Sequence, residues 1–185
     1  MLLLQSMAAG RAPASPASHE NLEYRGSRLR WSGGVTKAAI GRGGVRIDKR
    51  EGDGATPAGT YPLFYGFYRG DRIGRLSSRL PLRPLSLHDA WVDDPVDPNY
   101  NRLVSLPYPS RTESMWRHDG IYDLLVVIGY NMEPVIPGRG SAIFLHIARP
   151  GFVATEGCIA IEREVLMMLI PLLGPGSTIS IKDRG

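Results

Sequence analysis

Cysteine is almost absent from this 185-residue chain, which carries only Cys158. A single thiol cannot form an intrachain disulfide, so cysteine usage does not indicate the redox compartment. The spaced Cys/His clusters of zinc sites, the phosphate-binding P-loop, the dinucleotide-binding glycine fingerprint and internal repeats are missing as well. The sequence therefore offers no motif for a bound metal or nucleotide, and its one thiol becomes the most informative residue.

Long apolar runs are also lacking. No stretch reaches the roughly 18 apolar residues of a transmembrane helix, so the sequence predicts no transmembrane segment. Residues 1–20 lack the basic start and the long apolar core of a secretory signal, because the apolar run at residues 1–4 is too short. We interpret residues 1–20 as a disordered leader, or as the relic of a misplaced start codon, and residues 21–185 as a single domain.

The charge balance is mildly basic, with 22 Lys and Arg against 18 Asp and Glu and a net charge of +4. A basic surface suits an anionic polymer such as cell wall and equally suits nucleic acid, so charge alone does not identify the partner. Acidic residues are frequent within residues 88–102, but prolines interrupt them and the ligand spacing and central glycine of a calcium loop are missing. We interpret this segment as a long ordered loop, of a length that is often functional.

The spacing of apolar residues predicts a mainly β protein. Short alternating segments separated by glycine turns predict hairpins within residues 22–40, and the alternation at residues 177–181 predicts a final strand. Residues 122–130 are almost continuously apolar and β-branched, as in a strand buried on both faces. Residues 141–146 form the next predicted strand, which we expect beside it.

After residue 161 the apolar spacing becomes helical, and Pro171 should end or kink the resulting helix. A short helical turn is also predicted at residues 114–118. We therefore expect two packed sheets with one main α-helix near the C-terminus.

A histidine and the single cysteine lie at the ends of two strand-like segments. One apolar run ends at His146, a Pro-Gly turn follows, and Gly157 and Cys158 precede a second apolar run. A short loop between neighbouring strands can bring these ends together, and a thiol within reach of an imidazole is the minimal machinery for nucleophilic acyl transfer. Gly157 permits a turn with positive φ that directs successive N–H groups to one point, as an oxyanion hole requires. The plainer alternative is a small buried cysteine and a histidine packed in the core.

These residues and an upstream block resemble the L,D-transpeptidase catalytic domain, also called the YkuD-like domain. The resemblance rests on His146, on the Thr-x-Gly-Cys motif that ends at Cys158, and on GDGATPAGTYP at residues 52–62. Residues 88–102 resemble an insertion in one branch of the family, where a W-x-D-D-P-x-D-P-x-Y-N-R run recurs. The resemblance spans roughly residues 35–181 and implies the family's fold, a mainly β domain with two packed mixed sheets.

The resemblance implies a cysteine-dependent L,D-transpeptidase that acts on peptidoglycan stem peptides. Cys158 would attack the carbonyl of the third stem residue, usually diaminopimelate, D-alanine would leave, and an amine of a second stem would resolve the thioester. His146 would act as base and then as acid, its positive form lowering the pKa of the thiol, with N–H groups around Gly157 as oxyanion donors.

The family's other properties follow in the same way. The resemblance implies inhibition by carbapenem-type compounds, a periplasmic or cell-envelope location, no metal or organic cofactor and no nucleic acid partner. We favour a monomer.

Two departures from the family leave the substrate contacts open. Many members carry an arginine two residues after the cysteine, where this chain has Ala160, and many carry histidine or another polar residue where it has Glu156. A carboxylate facing the sulfur would raise the pKa of the thiol, so Glu156 is expected to point away. Arg149, in the loop after His146, is the nearest substitute for the missing cation. The candidate substrate-binding residues are Arg149, Thr155, Arg102 and Arg139.

Three alternatives stay open at this point. The same nucleophile can pass the acyl group to water, which would make the protein an L,D-carboxypeptidase or endopeptidase. Another thiol amidase can use the same fold on a different peptide. A catalytically silent wall-binding module would need neither the thiol nor the imidazole.

Overall fold

A computed structural model describes residues 19–74 and 76–183. Apart from its last two residues, the leader predicted at residues 1–20 lies outside the described part of the chain. The described strands are β1 (Asn21–Arg25), β2 (Arg28–Trp31), β3 (Gly34–Lys37), β4 (Val45–Arg46), β5 (Thr56–Pro57), β6 (Gly59–Tyr68), β7 (Leu82–Pro84), β8 (Asp89–Val92), β9 (Leu103–Ser105), β10 (Thr112–Ser114), β11 (Leu124–Ile128), β12 (Phe144–Ile147), β13 (Ile159–Ile161) and β14 (Thr178–Ile181). The helical elements are α1 (Arg163–Leu169) and two 3₁₀ turns, Pro150–Phe152 and Ile170–Leu172. These elements confirm a mainly β fold with one main helix.

Most strands form one mixed array in the order β13-β12-β11-β6-β14-β1-β2-β3, and β7 also pairs with β6. The long strand β6 belongs to both halves of this array, because residues 59–62 pair with β14 and residues 63–68 pair with β11. The halves are the two packed mixed sheets that the family resemblance implied. Ala39 and Ala160 exchange backbone hydrogen bonds of 2.8 and 2.9 Å, so the chain after β3 reaches β13 and the two ends of the array meet.

Strand β11 is apolar at every position because both of its faces are buried. Leu124 and Val126 face a large core cluster that includes α1 and both halves of the array. Leu125 and Val127 face the opposite way, into a second cluster that contains Phe144. Since side chains alternate across a strand, burial of both faces requires a continuous apolar run. The prediction of a central buried strand at residues 122–130 is confirmed, although β11 is shorter than that segment.

The predicted helix begins at Arg163 and gives way to a 3₁₀ turn at Ile170, one residue before Pro171. This end agrees with the loss of an intrahelical hydrogen bond at proline. The helical turn predicted at residues 114–118 is wrong. Residues 112–114 instead form β10, which pairs antiparallel with β8, and the fully buried Met115 follows it.

Candidate active site

A cavity of about 470 Å³ opens where β12 and β13 lie side by side. Its lining combines a thiol and an imidazole with carboxylates and guanidinium groups: Cys158, His146, Glu51, Asp93, Glu113, Arg117 and Arg149. The two strands are parallel, with His146 opposite Ala160. Cys158 therefore lies opposite the residue two positions before His146, and residues two apart on a strand share a face. The predicted pair thus lies on neighbouring strands with both side chains at one cavity.

The turn before Cys158 depends on glycine. Gly157 has φ = +141°, and a Cβ atom there would lie 2.8 Å from the carbonyl oxygen of Ala55. A side chain would therefore meet backbone in a conformation that L-residues rarely adopt. The positive φ expected at Gly157 is confirmed.

The hydroxyl of Thr56 fixes the orientation of the Gly157–Cys158 peptide. Thr56 is fully buried, and its Oγ1 donates to the Gly157 carbonyl oxygen at 2.8 Å while accepting from the Gly41 N–H at 2.9 Å. In a trans peptide the C=O and the following N–H point in opposite directions. The Cys158 N–H therefore points away from Thr56. The GDGATPAGTYP block thus contacts the backbone of the turn before Cys158 directly.

Cys158 is a buried, neutral thiol. It is 7% exposed; its Sγ donates to the Ala142 carbonyl oxygen at 3.1 Å and accepts from the Phe144 N–H at 3.3 Å. Burial raises the pKa of this thiol to about 12, and the Glu113 carboxylate adds to the rise. The Phe144 N–H and the Tyr122 hydroxyl act in the opposite direction by stabilising the thiolate.

His146 is a buried imidazole with a fixed tautomer. Its Nδ1 lies 2.8 Å from the Ile147 carbonyl oxygen, which can only accept, so Nδ1 carries the proton and Nε2 is left as a base. Burial lowers the pKa of His146 to about 4, and the positive charge of Arg149 contributes to the fall. A backbone carbonyl therefore orients the ring.

The two pKa shifts correct one expectation from the sequence. A positive imidazole was expected to lower the pKa of the thiol. Burial instead favours the neutral form of both groups, because it lowers the pKa of His146 to about 4 and raises that of Cys158 to about 12. At neutral pH the resting pair is a thiol and an uncharged imidazole. The pair can act as nucleophile and general base only if the proton moves during attack.

The predicted substrate-binding residues lie in different places. Arg149 lines the cavity and donates to Asp119 Oδ2 at 3.3 Å. Thr155 also lines it, but its Oγ1 donates to the Cys158 carbonyl oxygen at 2.6 Å and accepts from the Gly157 N–H at 3.1 Å. Arg102 instead donates to the Met132 carbonyl oxygen.

Arg139, the last of these candidates, is exposed beside another surface depression shared with Asp48 and Arg50. Of the four candidates, Arg149 and Thr155 therefore reach the cavity that contains the thiol.

Glu156 is an exposed residue in the lining of the cavity, where it pairs with Arg42. Its Oε1 lies 2.6 Å from the Arg42 guanidinium, and the two side chains are 72% and 61% exposed. An exposed pair of this kind contributes little to stability. Glu156→Gln should therefore change the turnover rate by less than about tenfold, or about 1.4 kcal/mol in activation free energy. Kinetics of Glu156→Gln beside Arg42→Gln would test this, and a loss as large as that of His146→Ala would contradict it.

Sequence reasoning missed Tyr122, Glu113 and Arg117. Tyr122 is buried with its ring edge against His146, and its hydroxyl donates to Glu113 Oε1 at 2.6 Å. Arg117 lies over the Tyr122 ring at 5.5 Å. The three residues come from β10 and from the loop before β11, so their meeting with Cys158 is a long-range contact. No local motif in the sequence marks it.

The W-x-D-D-P-x-D-P-x-Y-N-R run also acts on the site, through Asn101. Asn101 Oδ1 accepts from the Trp91 indole N–H at 2.9 Å and from the Ala142 N–H at 3.1 Å. Ala142 has φ = +53°, and its carbonyl oxygen is the acceptor of the Cys158 thiol. Because alanine is strained in this conformation, Asn101 has a clear role in holding it. Within the described residues, the acidic segment 88–102 belongs to no group of side chains able to hold a metal ion.

Comparison with known proteins gives one family. The model of the YkuD family, described as the L,D-transpeptidase catalytic domain, matches residues 14–181. Searches of curated proteins and of solved structures gave no match. In the part of the chain that the structure describes, no helix has the length and apolar character needed to cross a bilayer.

Proposed function

The chain belongs to the L,D-transpeptidase catalytic-domain family, and on that premise we propose that it cross-links or remodels peptidoglycan through a Cys158 thioester. The observation that carries the proposal is the neutral pair of Cys158 and His146 on neighbouring strands, facing one cavity, with Nε2 of the imidazole free to accept a proton. The family acts at the cell envelope, and we propose a periplasmic or other envelope location for this protein.

The neutral pair dictates the order of proton movements. Nε2 of His146 takes the thiol proton as Cys158 Sγ attacks the carbonyl carbon of the third stem residue. The Cys158 N–H supports the oxyanion, because the Gly157 N–H is already bound by Thr155 Oγ1. The imidazolium then protonates the departing D-alanine amine, and the thioester remains. In the second half, His146 deprotonates the amine of another stem as it attacks the thioester, and the imidazolium returns that proton to the departing sulfur, which restores the neutral pair.

Product analysis would test the proposal. The protein is incubated with a purified tetrapeptide stem, with and without a stem that offers a free amine, and the products and intact protein mass are measured. We expect released D-alanine, a Cys158 acyl adduct and a cross-linked dimer when the amine is present. Released D-alanine with no dimer at any amine concentration would identify an L,D-carboxypeptidase. Turnover of L,L-peptides at the same rate would point to a general thiol amidase, and no adduct or product to a silent wall-binding module.

We further propose that Arg149 binds the carboxylate at the end of the donor stem. Its side chain is 44% exposed, and its guanidinium makes a 3.3 Å contact with Asp119. Arg117 binds the same carboxylate more tightly, through Nε at 3.0 Å and Nη2 at 2.8 Å, and these guanidinium groups hold the pKa of Asp119 at about 2. A guanidinium has five N–H donors, so Arg149 retains donors for a second carboxylate.

If this is right, Arg149→Lys should raise KM for a tetrapeptide with a free carboxylate about tenfold, and Arg149→Ala should raise it further, because lysine cannot form two parallel hydrogen bonds. KM for the C-terminal amide of the same peptide should hardly change. Arg28→Lys, on the exposed surface of β2, is the matched control. Equal effects on the acid and the amide would remove Arg149 from the binding site.

A further inference from the structure

Tyr122 is the aromatic residue that connects the two members of the proposed catalytic pair. It is 3% exposed and lines the cavity. Its ring stands edge-on to His146 at a centroid distance of 5.3 Å and to Phe144 at 5.7 Å, with interplanar angles of 79° and 83°. A ring packed on two sides in this way has little freedom to turn, so the position of its hydroxyl is fixed by the fold.

The hydroxyl donates to Glu113 Oε1 at 2.6 Å. The Cys158 sulfur belongs to the same buried cluster as Tyr122 and lines the same cavity, which makes it a second acceptor toward which the hydroxyl can turn. Glu113 is partly buried on β10, where antiparallel pairing with Trp91 on β8 fixes its backbone. One proton is thus placed between a carboxylate that holds it at rest and a sulfur that becomes negative during the reaction.

Building on the proposed function, we propose that Tyr122 is a third catalytic residue, whose hydroxyl donates to the Cys158 sulfur as negative charge develops there, and that Glu113 is a positioning residue for that hydroxyl. The sulfur needs such a donor because its present partners suit a thiolate only in part. Ala142 offers a carbonyl oxygen, which accepts the thiol proton but repels a thiolate. When the charge forms, the Tyr122 hydroxyl therefore adds a second donor to the one that the Phe144 N–H already supplies.

The proton balance of the step is simple. The thiol proton passes to Nε2 of His146 as the sulfur attacks, and the tyrosine keeps its own proton while turning it from Glu113 toward sulfur. When the thioester has formed, the sulfur is no longer anionic and the hydroxyl returns to Glu113. The positive charge of Arg117 compensates Glu113 while its hydrogen bond is weakened.

Thiol alkylation tests this without any peptidoglycan substrate. The rate of Cys158 modification by iodoacetamide is measured from pH 7 to 10 in the wild type, Tyr122→Phe and Glu113→Gln. Phenylalanine keeps the ring packing, and glutamine keeps an acceptor oxygen for the tyrosine while removing the charge. The charged or titratable groups that act on the sulfur from the surrounding elements are Glu113, Tyr122 and Lys49, with His146 beside it and Arg117 acting on Glu113 and Tyr122.

Tyr122→Phe should slow alkylation about tenfold at each pH, as expected for losing a hydrogen bond to a charged group. Glu113→Gln should instead speed alkylation about three- to tenfold, since removing a nearby negative charge favours the thiolate. These opposite signs separate the proposal from a packing role, which would move both variants the same way. Wild-type rates in Tyr122→Phe, or slowing in both variants, would overturn it.

The outcome does not depend on the proposed function. Iodoacetamide reports on the sulfur alone, so an inactive protein with the expected alkylation pattern would contradict L,D-transpeptidase activity and leave the assignment of Tyr122 standing. Conversely, acyl transfer with an unchanged alkylation rate in Tyr122→Phe would support the function and reject the assignment. In an active protein, kcat of Tyr122→Phe should also fall about tenfold with KM unchanged, the pattern of a group that acts in the transition state.

Discussion

Replacing Cys158 with alanine is expected to abolish acyl transfer and to leave the protein folded. Sulfur is the atom that forms the thioester in the proposed reaction, so a loss of at least about 10³-fold in turnover is expected, as for removal of other catalytic nucleophiles. Release of D-alanine from a tetrapeptide stem is the measurement. Undiminished turnover in Cys158→Ala would end the proposed mechanism.

The same substitution should have a measurable but tolerable effect on stability. Cys158 belongs to the buried cluster around Phe144, and its sulfur accepts the Phe144 N–H, so it contributes more to packing than an exposed turn cysteine would. Losing the sulfur should cost about 1–2 kcal/mol in the free energy of unfolding. Cys158→Ser, which restores an oxygen near the same position, is the control and should be equally inactive. Denaturant unfolding of both variants would separate a folding defect from a chemical one.

Acylation by a β-lactam gives a second, independent measurement for Cys158. The family resemblance implies that carbapenems acylate the nucleophile whereas penicillin-type compounds do not. Intact mass after incubation with a carbapenem should therefore show one adduct on the wild type and none on Cys158→Ala. An adduct that persists in Cys158→Ala would show that another residue reacts, and the assignment of the nucleophile would be wrong.

The features that sequence reasoning predicted correctly are those that depend on local pattern. Strand β11 is apolar at every position because its two faces enter two different clusters, and a run of this kind is readable without a structure. The helix ends before Pro171 because proline has no N–H for an intrahelical hydrogen bond, which the sequence shows directly. The juxtaposition of His146 and Cys158 follows from a short connection between neighbouring strands, which leaves the chain few other arrangements.

The features that could not be predicted depend on burial and on contacts between distant segments. Glu113 enters the cavity from β10, just before the segment where a helical turn was predicted, and the pairing with β8 that creates this strand has no local signature. The pKa directions were missed for a similar reason. A positive imidazole lowers the pKa of a thiol only where the site is wet enough to keep both charges, and both residues here are less than 8% exposed.

His146→Gln is the other substitution expected to have a very large effect. Glutamine can accept a hydrogen bond but cannot carry a proton away from the thiol, so kcat/KM should fall about 10³-fold or more.

The wild type should lose activity in acid only as the pH approaches about 4, the pKa to which burial lowers His146, rather than near its ordinary value of 6.5. A pH–rate profile would show this, and an acid limb near 6.5 would mean that the imidazole is solvated.

The lowered pKa of His146 also predicts how stability depends on pH. Between about pH 6.5 and about pH 4 the unfolded chain binds a proton at this residue and the folded chain does not, so the free energy of unfolding falls as the pH falls through this window. The full contribution is present above pH 6.5 and has been lost by about pH 4, with a slope of up to about 1.4 kcal/mol per pH unit.

In His146→Gln this part of the slope should disappear while the titration of carboxylates, including Glu113, remains. Parallel denaturation curves for wild type and His146→Gln at pH 7, 5.5 and 4.5 would measure the difference. Equal slopes in the two proteins would show that His146 takes up its proton in the folded state, and the neutral resting pair would have to be given up.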